Sequence, residues 1–273
     1  MWRNCRNNMT AFQWIEGVGG EVVADGKRLE AVAYGPPPDQ ARTLVMLHEG
    51  LGCIALWRDF PVKLAAATGH GVFAYSRAGY GGSDPVDLPR PLDYMGREAQ
   101  FSLPAVFDAI GLERGILLGH SDGASIAAIY AGQHADQRIK GLILIAPHVF
   151  TEEMGLASIA EARRAYESGN LRPKLAKYHA HVDNAFCGWN GAWLDPGFQA
   201  WNIEDTVGRW RVPALLIQGV DDQYGTLKQI RAIQARSAAP VTSLVLEACR
   251  HAPQIDQPEA TLDAIVGFCA KVR

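Results

Sequence analysis

The sequence predicts an α/β fold, a mainly parallel sheet covered by helices on both faces. Three observations predict it: compact apolar runs recur along the chain, helix-length segments alternate with them, and turns rich in glycine, proline or aspartate separate the two. Strands buried on both faces read as short continuous apolar runs. Strand, helix, strand in alternation implies parallel pairing through crossover helices.

The elements follow in order. From Phe12 to Tyr34, alternating stretches broken at Gly19-Gly20 and Asp25-Gly26 read as short antiparallel strands at a sheet edge, and Gly35-Pro36-Pro37-Pro38 ends the pattern. Runs suited to strands buried on both faces come next: Thr43 to Leu47, Val72 to Tyr75, Gly115 to Leu118, Leu142 to Ile145, Ala214 to Ile217 and Ser243 to Leu246. Between most of them lie helical segments, Trp57 to Ala67, Tyr94 to Ile110, Ala124 to Gln133 and Leu227 to Ala235. A last one, Pro258 to Val272, has proline in the first turn, where its missing N–H costs nothing. The stretch Val149 to Trp210 breaks the rhythm, with helix-like segments but no buried strand of the parallel kind. It is expected to be an inserted helical cap, dividing the chain into a core of residues 1–148 and 211–273 and a cap of residues 149–210. The cap holds Trp189, Trp193, Trp201 and Trp210, four of the seven tryptophans. Most of these rings are expected to glue a helical layer to the core, with Trp189, Trp193 and Trp201 as candidates for a substrate pocket.

Composition narrows the function classes. The 273 residues, 48% hydrophobic and 20% charged, suit one soluble core domain with an insertion. A formal charge of -3 and the lack of a long Lys/Arg run exclude nucleic acid as an expected partner and leave a small molecule. The five cysteines, Cys5, Cys53, Cys187, Cys249 and Cys269, are odd in number and form no C-x-x-C pair. They read as reduced thiols of a cytoplasmic protein, with no metal site. Arg3 and Arg6 are followed by no apolar signal region, and no stretch is apolar enough to span a bilayer, so neither secretion nor a membrane is expected. Met9 is a second candidate for the first residue, since residues 1–8 match no structural pattern. Exposed apolar helices leave room for a homodimer.

The strongest chemical signal is Gly119-His120-Ser121-Asp122-Gly123, between the apolar run Ile116-Leu117-Leu118 and the small-residue helix Ala124-Ser125-Ile126-Ala127-Ala128. A serine at a tight strand-to-helix turn is exposed in a strained backbone conformation, and the positions two before and two after it must be small. The helix beginning there aims its amides and positive dipole end at Ser121, favouring an oxyanion. A serine hydroxyl needs an imidazole to take its proton. Of eight histidines, His251 lies between the last strand-like run and the final helix, at the carboxyl edge of the sheet where sites of open α/β folds gather. His120 is expected to pack, and His48 to shape the loop after its strand. His179 and His181 with Asp183 mimic a metal cluster, but their i, i+2 spacing shares no helix face and a solvated cap segment is the expectation. His70, His134 and His148 have no motif and default to surface or boundary packing. The acid that orients the imidazole is Asp221 or Asp222, both after the run Ala214 to Ile217.

With these residues in view, the chain resembles the α/β-hydrolase superfamily from about Val45 to Phe268. The resemblance rests on His48-Glu49-Gly50-Leu51-Gly52, on Ser76-Arg77-Ala78-Gly79-Tyr80-Gly81-Gly82-Ser83, on the turn at Ser121, and on the late Asp and His loops. It implies an eight-stranded sheet and an acid at the third residue after Gly219, which is Asp222. It also implies an oxyanion hole from the backbone amides of Asp122 and of Gly50 or Leu51. Glu49 departs from the commoner His-Gly pattern and is expected to form a structural ion pair with Arg58 or Arg77. The expected function is serine hydrolysis of a small, mostly apolar ester through Ser121, His251 and Asp222, with no cofactor. Hydrolysis of a lactone or of the C–C bond of a ring-cleavage dienoate is the enzymatic alternative, and a ligand-binding receptor on the same fold the non-enzymatic one.

Overall fold

The computed structural model describes residues 12–272. Met9, Cys5 and the arginines at positions 3 and 6 lie outside the described residues. Eight strands form one sheet among them: β1 (Gly19–Ala24), β2 (Lys27–Tyr34), β3 (Thr43–Leu47), β4 (Gly71–Tyr75), β5 (Gly115–His120), β6 (Ile139–Ile145), β7 (Ala214–Gly219) and β8 (Val241–Leu246). Their order is β1-β2-β4-β3-β5-β6-β7-β8. The β1–β2 and β2–β4 pairs are antiparallel, and every pair from β4 to β8 is parallel.

Alternation along each central strand sends consecutive side chains to opposite faces. Val45, Leu47, Phe73, Tyr75 and Leu117 share one core with Ile126 and Ala127 of the helix Asp122–Gln133. Leu44, Met46, Val72, Ala74, Ile116 and Leu118 share a second core with Leu64, Ile265 and Phe268 of the helices Phe60–Thr68 and Pro258–Lys271. Two cores on one sheet leave the carboxyl ends of the strands as the place where loops gather.

Three expectations need correction. The run ending in Leu246 is a strand, but of β8 only Leu246 is buried, because β8 ends the sheet order and has a neighbour on one side only. The segment Tyr94 to Ile110 is not one α-helix. It runs as α-helix over Tyr94–Arg97, widens to a π-helix over Glu98–Ser102 and returns to α-helix over Leu103–Ala109, next to Pro104, which removes a backbone donor. The helix expected from Trp57 is split: a 3-10 turn covers Ile54–Trp57, and the α-helix starts at Phe60 with Pro61 in its first turn.

Between β6 and β7 the chain forms the helices Glu153–Glu167, Leu171–Leu175, Val182–Trp193 and Glu204–Val207, and its strand-like contact is the isolated bridge of Phe150 with Asn202. No helix among the described residues is long and apolar enough to cross a membrane. Cys53, Cys187, Cys249 and Cys269 are free thiols, with Cys187 exposed.

Asp136 ties the helix Asp122–Gln133 to β6. It accepts from Tyr130 Oη (2.6 Å) and from Arg138 Nη2 (2.7 Å). Partial burial alone would raise this carboxyl, but the bonds from Arg138 and Tyr130 outweigh it and hold it at about 2. Because the folded value lies below the unfolded one, the stabilisation is present above about pH 4 and is lost as the pH falls toward 2. Asp136→Asn is expected to lower stability at pH 7 by about 1–2 kcal/mol, allowing for solvent screening at the half-exposed Arg138. Urea denaturation of the two proteins at pH 7 and pH 3 checks this: the gap should narrow at the lower pH, and a gap that stays constant contradicts it.

Candidate active site

β5 runs straight into the turn that carries Ser121. Ser121 has φ 54 and ψ −117 and is followed directly by the helix Asp122–Gln133. A side chain at positive φ is strained and persists only where the surroundings over-determine it. Here they do: Ser121 N donates to Ile145 O at the end of β6 (2.9 Å), and Ser125 N donates to Ser121 O (3.0 Å). The flanking glycines are obligatory for a packing reason. A Cβ at Gly119 would strike the Gly123 carbonyl, and one at Gly123 would strike the Leu47 carbonyl at the end of β3. The amides of Gly50, Leu51 and Asp122 have no hydrogen-bond partner among the described residues, and all three residues line the cavity that Ser121 lines.

His251 stands on the loop between β8 and the last helices. Its Nδ1 lies 2.9 and 2.8 Å from the two Asp222 oxygens. Asp222 is 5% exposed and also accepts from Tyr224 N (2.8 Å) and Gln218 Nε2 (2.7 Å). Asp221, the sequence competitor, is exposed. Burial by itself would raise the Asp222 carboxyl, but the bond and the charge of His251 outweigh it and keep it below its ordinary range. With Nδ1–H donated to this carboxylate, Nε2 is left as the basic nitrogen. Ser121 and His251 share the cavity wall, and no hydrogen bond joins them among the described residues. Such bonds commonly tighten only when substrate is bound.

The cavity measures about 80 Å³ and its walls include Leu51, Ile159, Trp189, Trp193 and Tyr224. Trp201 is not among its lining residues. It stacks on Phe198 (centroids 5.3 Å apart, planes at 14°) behind Trp193, serving the aromatic layer rather than the pocket. The Asp122 side chain is spoken for, accepting from Tyr94 Oη and from Trp193 Nε1 (3.2 Å). Burial raises its carboxyl above the ordinary range.

Several histidine and acid assignments change. Glu49 pairs with neither arginine through its carboxylate. Its Oε2 lies 3.4 Å from His120 Nδ1, while Arg77 donates to the Glu49 backbone oxygen (3.1 Å). His120 does more than pack, because its Nε2 lies 2.7 Å from the His251 carbonyl and Gln254 Nε2 reaches its Nδ1 (3.2 Å), fixing the His251 loop. His48 receives Arg77 N on Nε2 (3.0 Å) and holds the loop after β3. His179 is buried rather than solvated, bridging Gly81 N (3.0 Å) and Leu51 O (3.1 Å), whereas Asp183 pairs with Arg172 at the surface. No cluster of metal-ligand side chains occurs among the described residues. Sequence reasoning missed His148, which is 4% exposed and lines the cavity. The signal was present: it follows β6 at the carboxyl edge of the sheet, the argument that selected His251.

A sequence profile described as the Alpha/beta hydrolase family matches residues 44–264. An epoxide hydrolase B of Mycobacterium tuberculosis is 33% identical over 112 residues, 41% of this chain and 31% of that protein. The chain thus spans about a third of the length of this curated relative. Among solved structures, the enol-lactonase of Burkholderia xenovorans superposes with a TM-score of 0.71 at 18% identity, covering 92% of this chain and 100% of that one. An esterase from a Rhodococcus species superposes with a TM-score of 0.71 at 18% identity, covering 93% and 99%.

The turn geometry makes a stability prediction. Gly123→Ala is expected to cost about 2–3 kcal/mol and to lower the melting midpoint by roughly 5–10 °C. Gly191→Ala, where nothing lies within 4 Å of the added carbon, should leave it unchanged or slightly raised. Thermal denaturation of both variants measures the contrast, and equal midpoints refute it.

Proposed function

We propose that this chain, which belongs to the alpha/beta hydrolase family, hydrolyses a small, mostly apolar carboxylic ester on Ser121. The observation that carries the reading is the meeting in one small cavity of a strained serine, an imidazole held on a buried carboxylate, and unpartnered backbone amides. Ser121 Oγ attacks the ester carbonyl while His251 Nε2 takes its proton, and Asp222 stabilises the imidazolium that forms. The carbonyl oxygen becomes an oxyanion facing the amides of Asp122 and of Gly50 or Leu51, at the positive end of the helix Asp122–Gln133. His251 then protonates the leaving alcohol, and the acyl group stays on Ser121. A water molecule deprotonated by His251 attacks the acyl-enzyme, the bond to Ser121 Oγ breaks to release the acid, and His251 returns the proton to Ser121.

Leu51, Ile159, Trp189 and Trp193 support the choice of a small apolar substrate. The last three belong to residues 149–210, which we read as a helical cap closing the carboxyl edge of the sheet and shielding the cavity from bulk solvent, with room left for the water that the second step consumes. That an esterase and an enol-lactonase share this architecture at 18% identity supports the scaffold and leaves the chemistry to the site.

Steady-state hydrolysis of p-nitrophenyl esters of increasing acyl length tests the proposal. Short chains should be turned over fastest. Ser121→Ala should lose roughly 10⁶-fold in kcat and Asp222→Asn about 10⁴-fold, with Asp221→Asn close to wild type. Retained turnover in Ser121→Ala would remove the mechanism.

A further inference from the structure

We infer that His148 is a specificity residue, and that the substrate carries a second, uncharged oxygen, a hydroxyl or keto group, close to its scissile carbonyl. The inference rests on the proposed ester hydrolysis at Ser121 and narrows its substrate class.

His148 is a buried polar side chain with nothing to bond to. It is 4% exposed and lines the cavity of Ser121 and His251, yet no hydrogen bond among the described residues reaches either ring nitrogen. The two buried carboxylates beside it are committed. Both Asp222 oxygens hold His251, and Asp122 accepts from Tyr94 and Trp193. Trp189 Nε1, which also has no acceptor among the described residues, lies against Gly50 in the loop that presents the oxyanion amides. His148 sits elsewhere, its ring 5.4 Å from that of Trp193 and 5.7 Å from that of His251.

The backbone that carries the ring is held on both sides. Ser125 Oγ donates to the His148 carbonyl (2.7 Å), tying it to the helix that starts at Ser121. The next amide, Val149 N, donates to the buried Gln229 Oε1 (2.8 Å). Gly225 leaves room for the ring, since a Cβ there would come within 3.1 Å of it. Burial, assisted by the charge of His251, lowers the imidazole to about 4. At neutral pH it therefore offers one N–H donor and one lone pair, and no charge with which to clamp a carboxylate.

A wholly apolar ligand filling this cavity would strip water from His148 and leave the imidazole unsatisfied, a cost that a ligand oxygen removes. The ring's proximity to His251 places that oxygen near the scissile bond. Because the imidazole is buried and packed beside Trp193, His251 and Gly225, its hydrogen bond costs little further ordering.

Matched p-nitrophenyl esters of butanoic and 3-hydroxybutanoic acid test the inference in wild type, His148→Leu and His148→Gln. Wild type should favour the hydroxy ester by about tenfold or more in kcat/KM. His148→Leu should bring that ratio to about one, and His148→Gln, which keeps a donor and an acceptor, should restore part of it. A wild-type ratio of one, or an equal fall of both esters in His148→Leu with the ratio kept, overturns the inference. If wild type turns over neither ester, the hydrolase reading fails separately. Binding of the methyl esters of the same two acids to Ser121→Ala, followed by quenching of tryptophan emission, then decides on His148: preference for the hydroxy ester that disappears on adding His148→Leu upholds it, and equal binding overturns it.

Discussion

The close approach of β3, β5 and β6 at Ser121 is the constraint on which the rest of the site depends. The chain leaves β5 and doubles back so tightly that Gly123 lies against the Leu47 carbonyl, while Ser121 N is held by Ile145 O. One positive-φ residue thus joins the ends of three strands. Strain of this kind is kept only where the surrounding contacts outweigh it. The loops that follow these strands inherit their positions from the turn: residues 48–52 after β3, which carry the free amides, and residues 146–149 after β6, which carry His148.

Polar groups buried at that junction are arranged so that nearly every one supports another. Asp222 is held by Gln218 and the Tyr224 amide and in turn holds His251. On its other side, His251 is anchored through its own carbonyl to His120, which Glu49 and Gln254 meet. Two acceptors of this network, Gln218 Oε1 and Gln254 Oε1, have no partner among the described residues. Glu49 meets this network through His120 rather than pairing its carboxylate with an arginine.

The residues between β6 and β7 contribute a different kind of order. Their aromatic side chains form a stacked layer, Tyr166 on Phe186 and Phe198 on Trp201, from which Trp189 and Trp193 project to the cavity wall. Trp193 belongs to both systems, because its indole N–H also bonds Asp122 beside Ser121. The helical segment is thereby registered against the turn by a hydrogen bond as well as by apolar contact.

Local pattern was enough to read the sheet, since buried strands, crossover helices and the doubled-back turn each leave a signature in consecutive residues: apolar runs such as Val72 to Tyr75, and glycines two positions either side of Ser121. Order along the chain also singled out the late loops holding His251 and the Asp221-Asp222 pair. Other features had no such signature. The bond of Asp222 to His251, the partner of Glu49, the anchoring by His120, the burial of His179, the exposure of β8, the retreat of Trp201 and the place of His148 join residues far apart in sequence or depend on sheet order. The sequence alone determined the strands of the sheet and where the doubled-back turn at Ser121 lies. Only the tertiary structure decided which polar side chains found partners and which were left facing the cavity, because hydrogen bonding and burial are set by what the packed elements bring within about 3 Å.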